Sequence, residues 1–162
     1  MNDYDAIYDL VKIAFQTAEV SDAKEQDFVY TLRSANRHIP ELELVAQEDG
    51  QLIGHIMLTK LPLHTKEGTH EVLLLAPLCV KLAYRNQNVG AALVQEGFRI
   101  ARAFGYTCVF LAGNPAYYSR FGFQRSSTFG IQNTSGVPDE FSLACELSKG
   151  ALDQLNGTVC LA

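Results

Sequence analysis

The stretch that most restricts the fold of this chain runs from residue 71 to residue 112. Glu71 to Leu82 (EVLLLAPLCVKL) is a long apolar run with few alternations, the pattern of a central strand covered on both faces. A polar segment follows. From Val89 the apolar positions Leu93, Gly97, Ile100, Ala101 and Phe104 then continue one helical face until Gly105 can end it. Thr107 to Ala112 is another buried strand. Strand, loop, helix, strand in this order is a crossover unit, which places its two strands side by side and parallel. The fold class is therefore α/β (α+β).

The flanking sequence adds helices before this unit and strands on either side of it. Ile7, Leu10, Val11 and Ala14 recur at helical spacing from Tyr4 to Phe15. Ser21 can cap a second helix with Phe28, Val29 and Leu32 as its inward stripe. Glu43 to Glu48 and Gln51 to Leu61 read as strands joined at Asp49-Gly50, a dipeptide suited to the positive φ of a tight hairpin. Pro62 to Thr69 is polar and predicts a loop. After Gly113 the text NPAYYSRFGF predicts a short helical turn, Phe141 to Leu147 a strand, and GALDQLNGTVCLA a short helix with an edge strand.

Length and charge narrow the function. A chain of 162 residues, 48% of them hydrophobic, suits one domain over residues 1–162 with a proper core. Its net charge of -5 has the wrong sign for tracking nucleic acid phosphates, so no nucleic acid partner is expected. Cys79, Cys108, Cys145 and Cys160 form no C-x-x-C pair and predict buried, reduced thiols. The acidic start MNDYDAIYDLVKIAF and the lack of any membrane-length apolar stretch predict a cytoplasmic protein without a membrane partner. The four histidines show no metal-ligand spacing with the cysteines, and no metal is expected.

The polar segment YRNQNVGAALV sits between a strand and the first turn of a helix. The first N–H groups of a helix lack intrahelical acceptors and carry the positive end of its dipole, so anions bind there. Asn86, Gln87 and Asn88 let a ligand approach the backbone, Asn88 tolerates a left-handed conformation, and Arg85 adds a positive charge at the mouth. A pyrophosphate suits this setting. Taken alone, the loop equally fits an amide-rich helix cap with no ligand. Neither G-x-x-x-x-G-K-[ST] nor G-x-G-x-x-G is present, which excludes the familiar nucleotide-hydrolase and dinucleotide loops.

The run LAPLCVKLAYRNQNVGAALV resembles the acyl-CoA-binding motif of the GNAT N-acetyltransferase superfamily, whose loop reads Arg/Gln-x-x-Gly-x-Gly/Ala. Here that is Arg85, Asn86, Gln87, Asn88, Val89, Gly90, with Asn88 in place of the first family glycine. HIPELELVAQEDGQLIGHIMLTKL, GNPAYYSRFGF and GVPDEFSLACELSKGALDQLNGTV also resemble segments of the small bacterial YhbS-like branch, so the similarity covers nearly the whole chain. The family opens with a short strand, whereas this chain enters helix within a few residues of Met1; either that strand is absent or the recorded start is truncated.

The resemblance implies a GNAT acyl-CoA N-acyltransferase fold: a mixed central sheet with splayed parallel strands, flanked by helices. It implies that Leu78, Cys79 and Val80 offer backbone groups to the pantetheine arm of acetyl-CoA. Arg85 to Ala91 would hold the pyrophosphate, through Asn86, Gln87, Asn88, Val89 and Gly90, while Asn114, Tyr117 and Tyr118 would complete the cofactor site. A backbone N–H near Leu78 or Cys79 would polarise the thioester carbonyl. Tyr118 takes the family's tyrosine position, with Tyr117 as its rival, and both also fit as packing residues beside Phe121 and Phe123.

The attacking amine is protonated at neutral pH, and with a lysine-like pKa of about 10.4 its neutral form costs roughly 4.6 kcal/mol. Glu41, Glu43, His64 and His70 are the candidate bases, acting directly or through water, although each reads more readily as a solvated strand or loop residue, while His55 reads as a packed strand residue. An acyl-cysteine on Cys79 is disfavoured by its apolar setting, so direct transfer in a ternary complex is expected. The acceptor is a primary amine of a small molecule or peptide. The rival readings are a non-catalytic acyl-CoA sensor and a plain interaction domain. Strand exchange at the C-terminus would permit a homodimer.

Overall fold

A computed structural model describes residues 4–15, 25–34, 36–153 and 155–161. These fall into two compact units, residues 1–59 with 76–100 and residues 60–75 with 101–162.

In the first unit, helix α1 (Tyr4–Phe15) buries Ile7, Leu10 and Val11, and helix α2 (Glu25–Ser34) buries Val29 and Leu32, as their spacing predicts. The side chains of Ala14 and Phe28 and the expected Ser21 cap lie outside the described residues. Strands β1 (Glu43–Glu48) and β2 (Gln51–Thr65) pair antiparallel, with Val45 opposite His55 and Glu43 opposite Met57. Asp49 and Gly50 take φ of 51° and 77°, the primed-turn geometry that matches strand twist. Strand β3 (Gly68–Val80) ends in this unit, and helix α3 (Val89–Ala103) begins in it. The helix lies close to β2, because a Cβ on Gly54 would fall 3.0 Å from the Leu93 side chain and 3.2 Å from that of Val89.

In the second unit, β3 pairs parallel with β4 (Cys108–Ala112), Leu73 opposite Val109, as the crossover pattern requires. Helix α3 closes with Tyr106 N–H donating to Ala101 O and Gly105 N–H to Arg102 O, both at 3.0 Å. This Schellman geometry needs the left-handed φ of 88° that Gly105 supplies. Helix α4 (Pro115–Tyr118) and strands β5 (Gln124–Arg125), β6 (Ile131–Asn133), β7 (Ser142–Glu146) and β8 (Gly157–Val159) complete the unit. Among the described residues, hydrogen-bonded neighbours follow the order β5-β7-β4-β3-β2-β8-β6, with β1 beside β2. No described helix is long and apolar enough to cross a membrane.

Three expectations change, the first being the short helix in GALDQLNGTVCLA, where described residues 148–153 form bends and turns instead. Pro62 to Thr69 is not a loop: β2 runs to Thr65 and β3 starts at Gly68, leaving Lys66-Glu67 as the turn. Leu61 and Leu63 are buried while His64 is exposed, so the strand alternation simply continues, and Gly68 to Glu71 pair their backbones while remaining exposed. The last strand is also not an edge. β8 lies between β2 and β6, antiparallel to the first and parallel to the second, and buries Val159.

Candidate functional site

The segment expected to hold an anion has a defined backbone path. Strand β3 leaves the ladder at Lys81, whose N–H donates to Ile53 O at 2.7 Å, and Leu82–Tyr84 form a 3-10 turn. Asn86 and Asn88 then adopt φ of 62° and 65°. Left-handed backbone is costly for most side chains and tolerable for asparagine, so Asn88 takes a conformation that glycine would also adopt there. Ala92 N–H bonds Asn88 O at 3.0 Å, which makes Asn88 the residue from which α3 starts. The N–H groups of Val89, Gly90 and Ala91 belong to the helix's first turn, where intrahelical acceptors are lacking. Asn86, Gln87 and Asn88 are exposed, Val89 and Ala91 half-buried and Gly90 buried.

Arg85 is folded back rather than extended over the mouth. Its Nε donates to Val80 O at 3.1 Å, tying the loop to the end of β3. The Val80 carbonyl therefore already has a donor, while Leu78 and Val80 are half-buried and Cys79 is buried. Burial pushes the Cys79 thiol up to about 12, against smaller lowering effects of the His55 backbone and Arg85. Burial thus works against the thiolate form that a nucleophilic cysteine needs. Cys108 and Cys145 are likewise buried and raised to about 11, but Cys160 is exposed, because β8 has ended at Val159.

In the second unit, Asn114 caps α4, its Oδ1 accepting from Ala116 N at 2.9 Å, with Pro115 at the helix's first position. Tyr117 and Tyr118 are both half-buried and meet edge to face, their ring centroids 5.0 Å apart. Tyr118 also packs against Phe123 at 5.7 Å, and Tyr117 against Phe121 at 5.6 Å and under the Arg120 guanidinium at 4.6 Å. Burial raises the Tyr117 phenol, with a lowering effect from Arg120. The Tyr118 ring lies where a larger neighbour would clash: a Cβ on Gly113 would stand 2.7 Å from its Cε2.

The candidate bases separate sharply. Glu41, His64 and His70 are exposed, and His64 Nδ1 lies 3.1 Å from Thr69 Oγ1. Glu43 is not the solvated strand residue it resembles in sequence. Its side chain is only 6% exposed and meets Arg33 through both nitrogens of a bidentate fork, His38 Nε2 at 2.8 Å and His55 Nε2 at 2.8 Å. Burial alone would raise this carboxyl, but the His55 and Arg33 hydrogen bonds outweigh it and hold it at about 2. Such a carboxylate is a poor proton acceptor at neutral pH. The Arg33 guanidinium also stacks 3.8 Å over the Tyr4 ring, so α1, α2, β1 and β2 meet at one buried charge cluster.

A family model described as the acetyltransferase (GNAT) family matches residues 4–123. The chain belongs to the GNAT acetyltransferase family. It is 32% identical over 109 residues to the Escherichia coli N-acetyltransferase YjhQ, a match covering 67% of this chain and 60% of that relative. It is 34% identical over 122 residues to the E. coli N-acetyltransferase YhbS, covering 74% of this chain and 70% of YhbS. The crystal structure of YhbS in complex with CoA has a TM-score of 0.84 at 28% identity, covering 99% of this chain and 84% of that one. A GNAT acetyltransferase from Brucella melitensis in complex with acetyl-CoA has a TM-score of 0.76 at 27% identity, covering 99% and 90%. The fold is thus the GNAT fold, a mixed sheet flanked by helices.

Proposed function

We propose that the protein is an N-acetyltransferase that moves an acetyl group from acetyl-CoA to a primary amine of a small molecule or peptide, by direct attack in a ternary complex. The observation that carries this reading is the loop at the start of α3, where Asn86 and Asn88 take left-handed backbone ahead of the helix's first N–H groups. The CoA and acetyl-CoA complexes of its structural relatives support the same ligand here. In this reading Arg85 to Ala91 hold the pyrophosphate and Leu78 to Val80 face the pantetheine. The Leu78 backbone N–H polarises the thioester, and Asn114, Tyr117 and Tyr118 serve the acyl end. No catalytic cysteine is invoked, in keeping with the raised Cys79 thiol.

Acetyl-CoA at a hundred times its dissociation constant stabilises a protein by about 2.7 kcal/mol, a rise in melting temperature of about 5–10 °C for a chain of this size. That rise, followed by release of free CoA on adding amines, is the expected result. A rise without CoA release would indicate the sensor, and no rise at millimolar acetyl-CoA would refute the reading.

Asn88 provides a sharper check of the loop. Asn88→Gly keeps the left-handed φ and is expected to bind CoA as the native chain does. Asn88→Val places a β-branched residue there at a cost of about 1–2 kcal/mol, and CoA affinity should fall roughly tenfold by calorimetry. Equal affinities for the two variants would show that the backbone at residue 88 does not shape the site.

A further inference from the structure

We infer that His55 is the base that takes the proton from the acceptor ammonium, an assignment that rests on the acetyltransferase reading above. The starting point is the Glu43 carboxylate. It accepts from Arg33 Nε at 3.0 Å and His38 Nε2 at 2.8 Å on Oε1, and from Arg33 Nη2 and His55 Nε2, the latter at 2.8 Å, on Oε2. A carboxylate offers about four lone-pair sites, and these donors fill them. An ionised carboxylate cannot donate, so each imidazole must present Nε2–H to it. In a neutral His55 this leaves the lone pair on Nδ1.

That lone pair is unused. His55 is 0% exposed, and its Nδ1 has no hydrogen-bond partner among the described residues. Burying a polar atom unpaired is costly, and native structures rarely do it without a reason. Thr59 Oγ1 is buried and unpaired as well, and strand alternation puts it on the same face of β2 as His55. The same face carries Glu43, paired through Met57. One strand face therefore holds two buried, unsatisfied polar atoms and a saturated carboxylate, an arrangement that packing alone does not favour.

The position also suits the reaction. The Lys81 N–H bond to Ile53 O sets residues 79–81 of β3 and its exit beside residues 53–55 of β2, about 4.8 Å away in strand spacing. Of these neighbours of His55, Cys79 and Val80 are assigned above to the pantetheine arm, and Cys79 directly follows Leu78, whose N–H is assigned to the thioester. The arrangement is the orienting logic of a catalytic triad: a fixed carboxylate holds the imidazole's tautomer and stabilises the imidazolium that forms. Arg33 and His38 on the carboxylate, and Arg85 and Cys79 on the β3 side, are the other charged or titratable groups of this environment.

The ammonium gives one proton to His55 Nδ1, directly or through one water, and the free amine attacks the thioester carbon. The C–N bond forms, the C–S bond breaks, and the sulfur leaves with its electron pair. The nitrogen's second proton goes to the CoA thiolate, and His55 returns the first to solvent.

Two measurements test this. Imidazole 15N NMR of the native protein at neutral pH should show His55 as the Nε2–H tautomer; an Nδ1–H tautomer overturns the inference without any variant. CoA release is then followed with two probe amines, n-butylamine, which is an ammonium at neutral pH, and hydroxylamine, which is largely neutral there. His55→Gln keeps a donor for Glu43 but removes the basic nitrogen. The expected loss is about a hundredfold with butylamine and under about tenfold with hydroxylamine, with the acetyl-CoA thermal shift retained. Equal losses, or none, overturn it. Failure of the native protein to release CoA with either amine overturns it too, and the acetyltransferase reading falls with it only if acetyl-CoA also gives no thermal shift.

Discussion

Glu43→Ala is expected to destabilise the protein by about 3–5 kcal/mol, because it strands a guanidinium that is only 9% exposed without its counter-charge. The pair itself is worth much less than that figure, since desolvating both ions offsets most of their attraction. Replacing both partners, Arg33→Met with Glu43→Leu, should therefore cost less than Glu43→Ala alone, and urea unfolding of the native protein and these two variants would show it. Acid should erode the same contribution. The folded carboxyl sits at about 2 against an ordinary 4.5, so its stabilisation is complete above about pH 4.5 and is lost as pH falls toward 2. The stability gap between the native protein and Glu43→Ala should narrow between pH 5 and pH 2.5; a gap independent of pH would count against the ion cluster.

Tyr118→Phe should lower the rate of CoA release about tenfold to a hundredfold while leaving CoA affinity nearly intact. The ring is already positioned by Tyr117, Phe123 and the missing Cβ of Gly113, and phenylalanine preserves all three contacts. What is removed is the hydroxyl. Full transfer of a proton from a phenol of pKa about 10 to a thiolate whose conjugate acid is about 8.5 is uphill by about 2 kcal/mol, so in the proposed reaction the hydroxyl would chiefly hydrogen-bond the leaving sulfur. Tyr117→Phe should change the rate less, and Gly113→Ala, which must displace the Tyr118 ring, should mimic part of the Tyr118→Phe defect. Single-turnover rates unaffected by Tyr118→Phe would remove the residue from the chemistry.

Local chemistry was readable wherever neighbouring residues determine it. Asp49-Gly50 announced its hairpin, Gly105 its helix end, and Asn88 its left-handed backbone, because each depends on one or two residues' conformational preferences. The crossover from β3 through α3 to β4 was equally legible from periodicity. The Glu43 cluster was not. Arg33, His38, Glu43 and His55 lie up to 22 positions apart and belong to α2, the segment before β1, β1 and β2, and only the β1–β2 register that sets Val45 against His55, with α2 placed beside it, brings their heads together. No motif signals such a meeting. The long β2–β3 hairpin was misread for the opposite reason: Pro62, His64, Lys66 and Glu67 look like loop residues, yet the buried Leu61 and Leu63 between and beside them show that the alternation had not ended.

The place of β8 has a consequence for the order in which the molecule can be assembled during synthesis. The residues of the first unit have all been made once position 100 is reached, while the rest of the chain is still to be translated at roughly 5–20 residues per second. The second unit has to wait. Its β2 and β6 segments have no middle strand to join them until residues 157–159 emerge, so the part that carries Tyr118 is the last to become complete.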